Sequence, residues 1–293
     1  MKTISLTNAI VEENERTSLP LMTTLRSTLL VFLLFFPVTF IHMFLHEAGH
    51  ALVNLIEGYP IHFLYAHPFS FSGFVRPGGD YYSVWGHASG EIFELLVSAV
   101  IFILLWKRRT FYTLPFLLVF PWSALYNGMG GIFDTLGHTG DYHNILTITG
   151  WSPAGFYLLS LIYIIGGIFF LILLFPLLGL KPEDRKALFV LPAGMLLFTA
   201  LGLPIAYFLV PGSPIDVQYH VAHEIILSAY YRPLFMGAIG LLLAVIYITL
   251  YRSQYRRIPS SLRTELLSLS WRDFWYPGLL FVISMVLGFM VIL

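Results

Sequence analysis

"FIHMFLHEAGHALVNLI", Phe40 to Ile56, sets three histidines and a glutamate into a run that is otherwise apolar enough to cross a membrane. Ionisable groups are expensive in hydrocarbon, so within a span they face a bundle interior or a watery cavity and mark a site. Their spacing carries a second message. "HEAGH", His46 to His50, fits H-E-x-x-H, in which positions i and i+4 share one helix face. Both imidazoles can then reach one zinc ion while the intervening Glu47 polarises a water. Ala48 and Gly49 let a neighbouring backbone approach closely, as small residues do at packed helix faces in membranes.

The rest of the chain supports the membrane reading. Of its 293 residues 57% are hydrophobic, 17% aromatic and only 11% charged, with a mean hydropathy of +0.78; soluble domains carry about 25% charged residues. Lys plus Arg (16) equals Asp plus Glu (16), so the net charge of zero points to no nucleic-acid partner. Cysteine is absent, which excludes disulfides, thiolate nucleophiles and Cys-type zinc sites. Any metal site must draw on His, Asp, Glu or Asn. The residues before position 27 are mostly polar and include Glu12, Glu13 and Glu15, so no cleavable signal peptide is expected and the first span should stay in the mature protein.

A hydrocarbon core of about 30 Å takes roughly 20 helical residues, and suitable apolar runs occupy 27–50, 86–106, 110–126, 154–179, 187–210, 233–251 and 274–293. The expected fold is therefore an all-α polytopic membrane protein of seven transmembrane helices. The count falls to six if the short third run, with Pro115 and Pro121, is broken or re-entrant. "YPIHFLYAHPFSFSGFV", Tyr59 to Val75, alternates with period two on either side of "HP" and predicts a small β-hairpin in the first outer loop, with an edge able to take an extended peptide. No repeat or linker divides residues 1–293, which form a single transmembrane domain.

Cytoplasmic loops are enriched in Lys and Arg. With the N-terminus inside, every basic residue except Arg76 and Arg232 lies on the cytoplasmic side. The same topology puts all 10 histidines, His42, His46, His50, His62, His67, His87, His138, His143, His220 and His223, in the outer halves of spans or the outer loops. A shared polar or metal-binding centre near the outer face is the economical reading of that asymmetry.

"HEAGHALVNLIEGYPI" resembles the site-2 protease superfamily of intramembrane zinc metallopeptidases, and the likeness continues through "SGEIFELLVSAVIF" and toward "GDYHNILTITGWSP". It covers residues 27–150, a metalloprotease-like core, and leaves 151–293 as additional helices of unknown role. The resemblance implies a zinc site completed by a distant aspartate on a later helix. Two compete. Asp134, in "YNGMGGIFDTLG", follows Asn127 by seven residues but lacks the prolines and the Asp-Gly of the family motif. Asp141, in "HTGDYHNILTITG", resembles the corresponding region of shorter, divergent members and is favoured, with His138 and His143 flanking it as substitute ligands. One departure stands out: better-known members place the site toward the cytoplasm, whereas the basic residues here place it toward the outside.

Two further clusters have the right chemistry to serve such a site. Glu91 and Glu94, at i and i+3 of the second span, share a face and can orient a zinc-bound imidazole through its other N–H. "DVQYHVAHEIILSAYYR", Asp216 to Arg232, offers His220, His223 and Glu224 as a second metal site, a substrate gate or an interfacial amphipathic helix.

The expected activity is zinc-dependent hydrolysis of peptide bonds within or beside the membrane, with Zn2+ on His46, His50 and Asp141 and with Glu47 as general base. The partners implied are membrane lipid and a membrane-protein or peptide substrate. Two other readings remain open at this point. A seven-span zinc hydrolase of a lipid amide also uses paired histidines on a helix, but without a glutamate after the first and later in the chain. A non-enzymatic metal-binding membrane protein would need polar residues continuing to the inner face.

Overall fold

A computed structural model describes residues 6–66, 73–77, 83–138, 140–178, 180, 185–209, 232–251 and 274–288. The elements in chain order are α1 (Leu6–Ile56), β1 (Ile61–Ala66), β2 (Gly73–Pro77), α2 (Val84–Trp106), α3 (Leu114–Gly137), α4 (Gly140–Thr149), α5 (Pro153–Leu174), a 3-10 turn (Phe175–Leu178), α6 (Ala187–Leu209), α7 (Arg232–Tyr251) and α8 (Trp275–Gly288). Among the described residues, five stretches are long and apolar enough to cross a membrane: Thr24–Ile56, Val84–Trp106, Leu114–Gly137, Pro153–Leu178 and Pro233–Leu250. Ala187–Leu201 and Trp275–Gly288 are shorter apolar helices.

Helix α1 is the central strut, packed against α2, α3, α6 and α8. It runs six residues past the predicted end at 50 because "ALVNLI" continues the apolar pattern and Asn54, itself buried, returns its amide N–H to the His50 carbonyl. The helix stops at Gly58, whose φ of +86° suits a residue without a Cβ. There the Tyr59 N–H reaches the Asn54 carbonyl and the Gly58 N–H reaches that of Leu55, a Schellman closure that satisfies the last carbonyls. Beyond it, β1 and β2 pair antiparallel and lie against α1.

The third span differs from the expectation of a short or broken segment ending at 126. Helix α3 is continuous from Leu114 to Gly137 with Pro121 inside it, and Pro115 sits harmlessly in its first turn. The polar and glycine-rich stretch after Tyr126, beyond the apolar run, serves as a packing face. Asn127, Gly128, Gly131 and Thr135 are buried, and α5 crosses there so closely that a side chain at Gly128 would strike the Ser160 carbonyl.

Buried polar groups are unevenly distributed along the bundle. The ends carrying residues 42–50 of α1, 86–94 of α2, 123–135 of α3 and all of α4 hold every buried histidine and glutamate among the described residues. The opposite ends are filled by an apolar cluster that includes Leu34, Val38, Leu118, Trp122, Leu171 and Met195.

Candidate metal centre

His46 and His50 lie one turn apart on α1 and point their Nε2 atoms at the same place, 3.0 Å from one another. The chain meets them again much later, at the first turn of α4. Asp141 Oδ2 stands 3.5 Å from His46 Nε2 and 3.3 Å from His50 Nε2. These separations carry the chemistry. Zinc binds imidazole nitrogen and carboxylate oxygen at about 2.0–2.2 Å, and tetrahedral ligands at that distance sit roughly 3.3–3.5 Å apart. His46, His50 and Asp141 thus form a group able to hold a metal ion.

The other nitrogen of each imidazole fixes its tautomer. His50 Nδ1 donates to the Gly86 carbonyl at 2.7 Å, and His46 Nδ1 donates to Glu94 Oε2 at 3.2 Å. Both Nδ1 atoms therefore carry a proton, and each Nε2, directed at Asp141, is the nitrogen left to bind a metal. Glu94 is fully buried and does more than orient His46. Its Oε1 also pairs with Nδ1 of the fully buried His42, which lies 3.2 Å from Ser123 Oγ, and Asn127 Nδ2 donates to its Oε2 at 3.4 Å. One carboxylate thus ties α1, α2 and α3 together one turn below the three donors.

The close approach of α2 has a specific cause. A Cβ at Gly90 would fall 2.5 Å from His50 Nε2 and 2.9 Å from His46 Nε2, so only glycine leaves room for the two rings. Gly49 faces the same crossing from α1, against Ser89 and Phe93.

The two competing aspartates have different places. Asp134, near the end of α3, turns its carboxylate onto the Gly140 backbone and toward the main-chain N–H groups of Asp141 and Tyr142. That is where a helix N-terminus is stabilised by a capping carboxylate. Asp134 is therefore absent from the donor group and instead holds the helix that presents Asp141. The chain reverses between them through His138, in the left-handed region at φ 55°, and Gly140 at φ 74°. His138 is exposed and His143 half-buried; their rings pack edge to face, 5.2 Å between centres, and neither joins the donors.

Helix α4 is pinned from below by Tyr142 and Ile145, which pack with Phe156 of α5. The Tyr142 hydroxyl faces Glu91, a buried acid beside the site, and burial followed by that negative charge pushes the phenol well above its ordinary range. Burial raises the Asp141 carboxyl too, but hydrogen bonding from His46, His50 and His87 overrides it and holds the group well below the usual carboxylate range. Glu47 is buried beside the donors, with its charge acting on His46. The Asp141 side chain is the most open of the three donors, 27% exposed against 14% for His46 and 9% for His50.

Sequence reasoning passed over His42 and His87 as site residues. Both were signalled by helical spacing: His42, His46 and His50 recur every fourth residue, and His87 precedes Glu91 and Glu94 on one face of α2. His220, His223 and Glu224, with the rest of 210–231, lie outside the described residues. No protein-family model, curated protein or solved structure matches the chain.

Proposed function

We propose that the protein is a zinc-dependent intramembrane metallopeptidase that hydrolyses peptide bonds within or next to the membrane. The observation that carries this reading is the group of three donors 3.0–3.5 Å from one another inside an apolar bundle, with a glutamate directly after the first histidine. His46 Nε2, His50 Nε2 and Asp141 Oδ2 are the atoms that would hold zinc. Zinc bound there supplies a Lewis acid for the scissile carbonyl and lowers the pKa of a water toward about 7.

The chain's own residues do the remainder. Glu47 accepts the proton of the attacking water as its oxygen bonds to the carbonyl carbon, and returns that proton to the departing amine as the C–N bond breaks. Glu94 and the Gly86 carbonyl hold the two imidazoles in the tautomer that keeps Nε2 free to bind. The two-stranded sheet against α1 offers an edge on which an unwound substrate segment can lie extended. A transmembrane helix hides its carbonyls, so such a ledge is what a peptide substrate requires and a lipid amide does not. The absence of buried histidines and carboxylates from the opposite end, among the described residues, also argues against a metal conduit.

In this reading the shorter helices α6 and α8 complete seven spans. The N-terminus is cytoplasmic, because Lys107, Arg108 and Arg109 close the end of α2 far from the site, and the centre faces outward. The test is a pair of assays on one purified preparation, cleavage of a transmembrane peptide and hydrolysis of a lipid amide. Peptide cleavage that is lost in Glu47→Gln supports the reading; lipid-amide hydrolysis alone overturns it.

A further inference from the structure

His87 has no part in the reaction above, yet it is the residue that touches the third donor. Its Nδ1 stands 2.8 Å from Asp141 Oδ1, while the other oxygen, Oδ2, faces the imidazoles of His46 and His50. The two oxygens of this carboxylate are thus committed to different partners. We propose that His87 is a positioning residue that occupies one oxygen of Asp141 and so confines the carboxylate to single-oxygen binding of the metal, which keeps one coordination position open for water and substrate. This inference rests on the zinc centre proposed above.

The reason is geometric. Carboxylates bind metals through one oxygen or two, and a catalytic zinc site needs three protein donors and a vacant fourth position. A carboxylate that swung round to use both oxygens would crowd that position. The His87 N–H directs Oδ1 away, and hydrogen bonds of this kind to ligating groups commonly set ligand orientation. His87 is itself buried, so water competes poorly for the bond.

The fold makes His87 a rigid donor. It lies in the first turn of α2, where Ser83 caps the helix by accepting the Gly86 N–H at 3.2 Å. Ser83 in turn donates its hydroxyl to Glu57 Oε1 at 2.5 Å, just past the end of α1. The same turn carries the Gly86 carbonyl that orients His50. One turn of α2 therefore sets the orientation of two of the three donors.

Cobalt(II) in place of zinc reports coordination number through its visible absorption, four-coordinate sites absorbing much more strongly than five-coordinate ones. The full chain in detergent, loaded with cobalt, should give strong four-coordinate bands. His87→Ala should bind cobalt about 10- to 100-fold more weakly and show weaker, five-coordinate bands. His87→Gln, which retains an N–H donor, should return toward the wild-type spectrum. Infrared difference spectra of the wild type with isotope-labelled aspartate should show the wide carboxylate splitting of single-oxygen binding, and this decides the matter even if His87→Ala fails to fold. A narrow splitting in the wild type, or a His87→Ala spectrum identical to wild type, overturns the inference and leaves the metal centre standing. A wild type that binds no cobalt overturns the centre and the inference together.

Discussion

The two ends of this helix bundle are held by different physics. Around His46 and Glu94 the contacts are directional hydrogen bonds among buried ionisable groups, whereas around Leu34 and Trp122 they are apolar packing alone. In a bilayer these are not equivalent. Lipid tails are as apolar as leucine, so packing specifies shape with little hydrophobic gain. An unsatisfied polar group in hydrocarbon costs several kcal/mol, so the hydrogen bonds that tie His42, His46, His50 and Asn127 to their partners fix the geometry of the site end. Substitutions at the site end should accordingly alter metal binding and chemistry, and those at the apolar end should alter stability without touching the metal.

The largest effect is expected from Glu47→Gln. Removing a general base costs about 10²- to 10⁴-fold in rate, so peptide cleavage should fall in that range while metal content stays at the wild-type level. Next is Glu94→Gln, which weakens the hold on His46 and leaves His42 without a carboxylate partner. It should lower zinc affinity by about 10- to 100-fold, measured by competition with a chelator. Leu34→Ala crosses to the other end. It should reduce unfolding stability by about 2 kcal/mol, the low end for a buried leucine because only packing is lost, with zinc affinity unchanged; a fall in affinity would break the division between the ends. The smallest effect belongs to the double variant His138→Ala, His143→Ala, whose rings pack on each other outside the donor group. Its zinc affinity should match the wild type, and a large loss would return one of them to the ligand set.

Legibility in the sequence followed the range of the interactions. His46 and His50 were readable because helical spacing alone brings them together, and five long apolar helices were readable because hydropathy is a local average. The choice between Asp134 and Asp141 was not, since it depends on the reversal at His138 and Gly140 that turns one aspartate into a cap and the other into a donor. The pairings of His87 with Asp141 and of His42 with Glu94 join residues more than fifty positions apart, and no period in the chain records them. Helix α3 outruns its apolar stretch for a related reason. Its glycines and Asn127 look like a helix end until α5 is seen packed on them.

In the proposed centre Asp141, and not Asp134, completes a zinc site with His46 and His50. Elemental analysis of detergent-purified protein tests it directly, by comparing bound zinc in the wild type, Asp141→Ala and Asp134→Asn. The wild type should hold one zinc per chain, Asp141→Ala should retain none after dialysis, and Asp134→Asn should retain it with only the modest loss of stability, about 0.5–2 kcal/mol, that accompanies a missing helix cap. Zinc retained by Asp141→Ala but lost from Asp134→Asn, or no zinc in the wild type, would contradict it.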